Sequence, residues 1–561
     1  MTSAKSLEDI PGPKGVPLLG NMLEIKQATM IQDLMKVGRE WGPIFKMTTP
    51  RGPIYVVYGL EMVNDLCDDA RFDKLVGLSQ REFRKTHRSA GLFTADTDDP
   101  LWKSAHDILL PSFSTWAMKG YLDPMIDVAE QLCLKWERLN PDEPIDVTAD
   151  MTRLTLDTIA LCGFSYRFNS FYRDTQHPFI EAMMGALHET QARQGLLPVA
   201  VKLRRGAQAK LLADSKLMDD TVATILEERK ASGDPGNDLL GHMLVGTDKA
   251  GNALPDHNIV AQCVTFLVAG HETTSGLLSF TIAYLLKHPE VVARAHEEID
   301  RVLGTDPSVP PTVAQVQQLG YIRQILDETL RLWPTAPAFT RQARETTTVG
   351  GWGPFSPGQS IIALTPMLHR LKDIWGEDAE EFNPDHFAPE RRDSLPPNAF
   401  RPFGSGQRAC IGRQFALQEA TLVLAMLMQR FEFVDHANYQ LKVKESLTLK
   451  PDGLTITIKP RTGRTWGATA RPVAAAANPR TPALAVAPAD RHGTPLLVLF
   501  GSNLGASEDI ASRIAREATD RGLVTAAACR GVEPQVRPAR GRIVIVSPSG
   551  LSVNDSLILS W

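Results

Sequence analysis

The chain has 561 residues, more than one ordinary hydrophobic core accommodates, so a large domain with a smaller companion is expected. Hydrophobic residues make up 43% and charged residues 22%, the balance of a soluble globular protein. A net charge of -5 gives no electrostatic reason to expect nucleic acid or an anionic membrane as a partner. Six scattered cysteines without a CxxC pair (Cys67, Cys133, Cys162, Cys263, Cys410 and Cys529) argue against a disulfide framework and for a reducing, cytoplasmic setting. The N-terminus, "MTSAKSLEDIPGPKGVPLLG", lacks an apolar export region, and no membrane anchor is expected.

Taken in chain order, "IFKMTTPRGPIYVVYG" (44–59) predicts two strands around a Pro-Arg-Gly-Pro turn. Helical periodicity then dominates, notably over 258–288, 313–333 and 413–430. "LKVKESLTLKPDGLTITIKP" (441–460) predicts a late β segment with a Pro-Asp-Gly turn. Residues 1–460 therefore read as a mainly α domain with small β-sheets. Residues 461–493 are rich in Ala, Pro and Arg and poor in core formers, the composition of a semi-extended linker. From 494 to 561 a buried strand, a Gly/Ser loop, an amphipathic helix and a second strand "RIVIVS" (542–547) begin an α/β domain that is not completed.

The chemistry is concentrated in "FGSGQRACIG" (403–412). One thiolate cannot build a tetrahedral zinc site, but Cys410 can be the single axial ligand of a heme. Gly404, Gly406 and Gly412 would let the backbone turn beside a flat macrocycle and donate amides to the sulfur. Phe403 would pack nearby, and Arg408 suits a propionate carboxylate. An ordinary Gly-rich loop with a buried free cysteine is the alternative. In "QCVTFLVAGHETTSGLLSF" (262–280), Ala269 and Thr273 stand four apart on one face of a long apolar helix. Thr273 beside Glu272 suits proton delivery to dioxygen, although a core helix with a polar kink would look similar. In "DETLRLWPTAPAF" (327–339), Glu328 and Arg331 are neighbours on one helix face, a spacing also common in solvated surface pairs.

In order, "AGHETT", "ETLR" and "FGSGQRACIG" resemble the heme-thiolate monooxygenases of the cytochrome P-450 family. Longer segments, such as "WKSAHDILLPSF" and "DMTRLTLDTIALCGFSYRFNSFYRD", resemble its bacterial self-sufficient fatty-acid hydroxylases, whose heme domain is fused to a diflavin reductase. The resemblance implies heme b with Cys410 as its proximal thiolate, shielded by Phe403 and turned by Gly404. It implies propionate contacts from Arg408, Trp102 and His106, with Lys103 beside them. Thr273 and Glu272 become the acid–alcohol pair beside Ala269, and Phe93 would crowd the substrate tail. Glu328 and Arg331 become structural. His386, in "PDHF", stands where the family usually has arginine, and heme retention is expected to weaken at high pH. A fatty-acid carboxylate anchor would fall on the first hairpin, where a gapless alignment puts Gly52 and Val56 in place and Arg51 and Tyr55 one residue away; Arg51 is equally readable as a plain turn residue.

The same resemblance makes "LFGSNLGASEDIA" a flavodoxin-like phosphate loop, with Ser502, Asn503, Leu504, Gly505, Ala506 and Ser507 around FMN. Residues 494–561 are too short for a complete FMN domain and are not expected to fold stably or to hold FMN alone. FAD and NADPH would act only through a reductase absent from this chain. Dioxygen and a fatty acid are the implied reactants, an outside diflavin reductase the electron donor, and a homodimer would suit electron transfer between subunits. A peroxide-driven hydroxylase and a non-catalytic thiolate-heme sensor are the rival readings.

Overall fold

A computed structural model describes residues 5–463 apart from 18, 22–23, 51, 88, 174, 176 and 194–197. Beyond these it describes four strands near the C-terminus. The chain divides into two compact units, Met1–Thr465 and Trp466–Trp561.

The first unit is mainly helical. Its axis is α6 (Asp256–Leu285), with α4 (Val147–Phe164) lying along it. At 30 residues α6 is about 45 Å long, and its apolar residues continue around the circumference, as suits a helix enclosed by protein. The sequence pattern carries this helix to 288; Pro289, at the first position of the next helix, marks a fresh start. The predicted 313–333 helix is two helices, Val313–Gln317 and α7 (Gly320–Leu332). The carboxylate of Glu298, on the earlier helix Pro289–Leu303, accepts the amides of Tyr321 and Ile322 and so caps a second helical start. Helix α8 (Arg413–Arg430), the last among the described residues, has its predicted limits.

The first hairpin is present as β1 (Ile44–Thr49) and β2 (Gly52–Val57). It belongs to a five-stranded sheet with β3 (Phe72–Lys74), β4 (Ala338–Ala343) and β5 (Ile361–Leu364), ordered β1-β2-β5-β4-β3. The late β segment holds β6 (Val443–Glu445), β7 (Leu449–Pro451) and a strand at Thr455–Pro460. β6 and β7 form their own hairpin, while Thr455–Pro460 joins Phe431–Val434 and Ile145–Asp146. Gly453, at φ 66°, turns the chain from one sheet to the next. Among the described residues the two large hydrophobic cores lie one among the helices and one around the five-stranded sheet. No described helix is long and apolar enough to cross a membrane.

In the second unit Pro495–Phe500 pairs in parallel with both Val524–Cys529 and Arg542–Val546, and Leu559–Ser560 adds an antiparallel edge. The sequence pattern predicts two of these four strands; "VTAAAC" escapes it because alanine carries little β signal. The phosphate-loop positions Ser502, Asn503, Leu504, Gly505, Ala506 and Ser507 lie outside the described residues.

Candidate active site

The Cys410 loop is built by its backbone. Gly404 and Gly406 adopt φ 73° and 68°, where a side chain is strained, and a Cβ on Gly406 would come within 2.0 Å of the Asp69 carboxylate. The Cys410 amide donates to the Phe403 carbonyl at 2.9 Å and closes the loop. Gly412 is not left-handed; it is the N-cap of α8, which aims that helix's amide end toward the thiol. Cys410 is exposed, whereas Cys133, Cys162 and Cys263 are buried. Burial of the loop by surrounding protein pushes the thiol's pKa up, and the Gly412 amide and the Arg413 guanidinium oppose that shift. Arg413 lies 5.7 Å above the Phe403 ring.

Beside this loop lies a cluster of cations. Arg408 donates to Thr97 Oγ1 and to the Leu92 and Ala95 carbonyls, and sits 4.5 Å above the buried Trp102 ring. Trp102 and His106 stack with centroids 5.2 Å apart, and burial lowers the His106 pKa. Lys103 points elsewhere: it is exposed and paired with Asp107. Two cations that the sequence pattern does not single out complete the cluster. Arg341 donates to Ser405 through Nη2, while its buried Nη1 has no hydrogen-bond partner and stands 3.4 Å from Asp69. Lys74 donates to the Phe93 carbonyl at 2.7 Å. Burial, then the charges of Arg408 and Arg341, push its pKa down to about 7. A partly buried trio of cations suits an anion, and its chemistry fits the two carboxylates of a heme.

Along α6 every residue from Asn258 to Ala283 is buried except Thr265, Ala269, Gly270 and Thr273. The space above Gly270 is taken by Ile159 of α4. Thr265, Ala269 and Thr273, at i, i+4 and i+8, form the open stripe. Thr273 Oγ1 donates to the Ala269 carbonyl at 3.0 Å, so its oxygen lone pairs remain free. Glu272 does not meet Thr273, because adjacent helix residues point about 100° apart. Its carboxylate accepts from Lys450 Nζ at 2.9 Å and Thr448 Oγ1 at 3.1 Å, with His271 Nε2 at 3.3 Å. Burial alone would raise its pKa; Lys450 and His271 reverse that and hold the carboxyl well below the usual range. The expected side-by-side acid and alcohol are therefore two groups on different faces, and Lys450 and Thr448 carry no local sequence signal that marks them.

Behind the loop, Glu328 and Arg331 are fully buried and bidentate, at 2.7 Å for both contacts. Arg331 also donates to the carbonyls of His369, Ala379 and Glu381. His386 fills the third place, with Nδ1 3.0 Å from Glu328 and Nε2 3.2 Å from Asp378. The pair is a structural lock and not a solvated surface pair.

Phe93 is 39% exposed beside this cluster, its ring 4.7 Å from Lys74 Nζ. The hairpin anchor needs correction. Tyr55 is buried edge-on against Phe355, and Val56 is fully buried, because β2 lies between β1 and β5 with both faces covered. Arg51 lies outside the described residues.

The cytochrome P-450 family model matches residues 10–458. Among curated proteins the chain is similar to bifunctional cytochrome P-450/NADPH–P-450 reductase 2 of Bacillus subtilis strain 168, 47% identical over 547 residues. It is likewise similar to the bifunctional cytochrome P-450/NADPH–P-450 reductase of Bacillus cereus, 46% identical over 561 residues. Both alignments cover 97% of this chain and 51% of the relative. A self-sufficient cytochrome P-450 monooxygenase of Penicillium freii is 39% identical over 529 residues, 92% of this chain and 50% of its own. The chain thus spans about half the length of the curated relatives it matches. With a lone open thiol, a cationic cradle and a small-residue stripe assembled around one another's elements, the chain belongs to the cytochrome P-450 family and is built as a heme-thiolate enzyme.

Proposed function

We propose that the protein hydroxylates unactivated C–H bonds of medium- to long-chain fatty acids, with dioxygen as oxidant and electrons from NADPH through a diflavin reductase. The observation that carries this reading is the open Thr265–Ala269–Thr273 stripe on an otherwise buried helix. It offers an apolar face with hydroxyls at its ends and nothing bulky between them. When bound, the heme supplies redox chemistry and dioxygen activation. Cys410 would ligate its iron, Lys74, Arg341 and Arg408 would bind its carboxylates, and Thr273 would hold a proton at its Oγ1. Phe93 would press the chain against the stripe. The names of the relatives, which join a P-450 to an NADPH–P-450 reductase, support that electron source. Residues 461–493 are then a linker, and 494–561 the start of a flavodoxin-like module whose loop at 502–507 would meet the FMN phosphate.

Incubation of the heme-loaded protein with a fatty-acid panel and NADPH, with and without an added diflavin reductase, tests this. Hydroxylated acids formed with the added reductase support it. Absence of product from every acid, with the heme intact, moves the protein to another substrate class.

A further inference from the structure

The loop before Phe93 is fastened to α6 by polar contacts. Asn258 donates to Ser89 Oγ and the Ala90 carbonyl, and Gln262 accepts from the Leu92 amide at 2.8 Å. A Cβ on Gly91 would lie 1.9 Å from Thr265 Oγ1, so the loop lies directly on the first residue of the open stripe.

One group near this junction is unused. His87 ends α1 (Leu78–Thr86), and its Nδ1 is 2.7 Å from Asp219 on α5 (Arg205–Ser232). The two side chains are only 4% and 10% exposed. Nε2, at the other side of the ring, is buried with no hydrogen-bond partner. An unsatisfied buried nitrogen is costly unless something binds it. His87 and Thr265 line the same cavity, about 10 Å³, room for one oxygen-sized group.

The chemistry of that group is set by the donors. Asp219 occupies Nδ1, so Nε2 is the ring nitrogen left for a ligand. Thr265 already donates its proton to the Ala261 carbonyl at 2.8 Å, so its oxygen accepts. The cavity wall also includes Arg84, but at about 10 Å³ the space is too small for a carboxylate and takes a single hydroxyl, which can both donate and accept. Thr265 lies one turn, about 6 Å, from Ala269. We infer that His87, held by Asp219, and Thr265 form a subsite for an alcohol hydroxyl, so that chains already carrying one hydroxyl bind more tightly than their parents. The inference rests on the stripe being the substrate face, as in the proposed function, but not on the substrate being an acid.

The test is a Soret titration of the heme-loaded full chain with dodecanoic acid, its monohydroxy isomers and the methyl esters of each. In the wild type at least one hydroxy isomer should bind about tenfold more tightly than its parent, the worth of one well-placed hydrogen bond. In His87→Phe, and in the nearly isosteric Thr265→Val, the preference for the hydroxy isomer over its own parent, measured in the same variant, should fall below about twofold. No preferred isomer in the wild type, meaning a resident water only, overturns the subsite, as does a preference that survives both variants. If the acids fail to bind while the hydroxy ester is still preferred, the fatty-acid reading falls and the subsite stands.

Discussion

Lys74 and Arg341 are direct cross-strand partners, paired in register on β3 and β4. Like charges placed opposite one another destabilise a sheet, so an anion between them would relieve the pairing. Arg408 converges on the same point from the Cys410 loop, and the acids opposing the three are Asp69, Asp73 and Asp96.

Heme retention should therefore depend on pH through Lys74. Its pKa without an anion is about 7, and a bound carboxylate raises it. Affinity is full below about 7 and falls as pH rises toward the higher, anion-bound value, by up to about tenfold per pH unit. Transfer of heme to an excess of apomyoglobin, followed at several pH values, checks this. Lys74→Met should be weaker at low pH and should flatten the dependence; an unchanged slope would contradict it.

The Glu272–Lys450 pair predicts a conditional cost. Lys450→Met leaves a buried carboxylate without its main partner and should destabilise the fold by about 3–5 kcal/mol in denaturant titrations. Adding Glu272→Gln should recover most of that loss. Because the folded pKa of Glu272 is depressed, its contribution is present above its ordinary pKa and is lost as pH falls through the folded value. Additive losses in the double variant would show the two residues act independently.

Glu419, on α8, carries the opposite sign. Both carboxylate oxygens are buried without hydrogen-bond partners, and burial pushes its pKa up to about 8. The stability penalty is absent below its ordinary pKa, grows as pH rises toward 8, and is complete above it. Glu419→Gln should raise Tm at about pH 9 by an amount worth a few kcal/mol and change it little at about pH 5. An equal effect at both pH values would mean the carboxyl stays charged or stays neutral throughout.

His386→Leu should loosen the lock behind the heme, since Glu328 Oε1 would keep only the Arg331 guanidinium and the Asn383 amide. A loss of about 1–3 kcal/mol is expected, with faster heme release. His386→Arg should retain stability; a large loss in that variant would show the pocket is shaped for imidazole.

How much of the site is legible in the sequence depends on the range of each interaction. The Cys410 loop and the limits of α8 are local, and the glycines that permit the turn stand in the same short segment. Ala269 and Thr273 can be placed on one helical face by spacing alone. The separation of Glu272 from Thr273 is also readable, since neighbouring helix positions diverge, but its partner on β7 is not. Lys74 and Arg341 meet through a strand pairing between distant parts of the chain, which no local pattern encodes. Tyr55 and Val56 are misplaced by a sequence reading because alternation along β2 suggests one open face, whereas both residues are buried in the core around the sheet. His87 draws no attention because a lone histidine at a helix end becomes informative only with Asp219 and the unpartnered Nε2 in view.

The central claim is that Cys410 supplies the proximal thiolate to a heme facing the α6 stripe. The direct measurement is the carbon monoxide difference spectrum of the reduced wild type beside that of Cys410→His. The account predicts the red-shifted thiolate-type Soret band in the wild type and an imidazole-type band at shorter wavelength in the variant. A wild-type band of the imidazole type, or identical spectra for the two proteins, would contradict it.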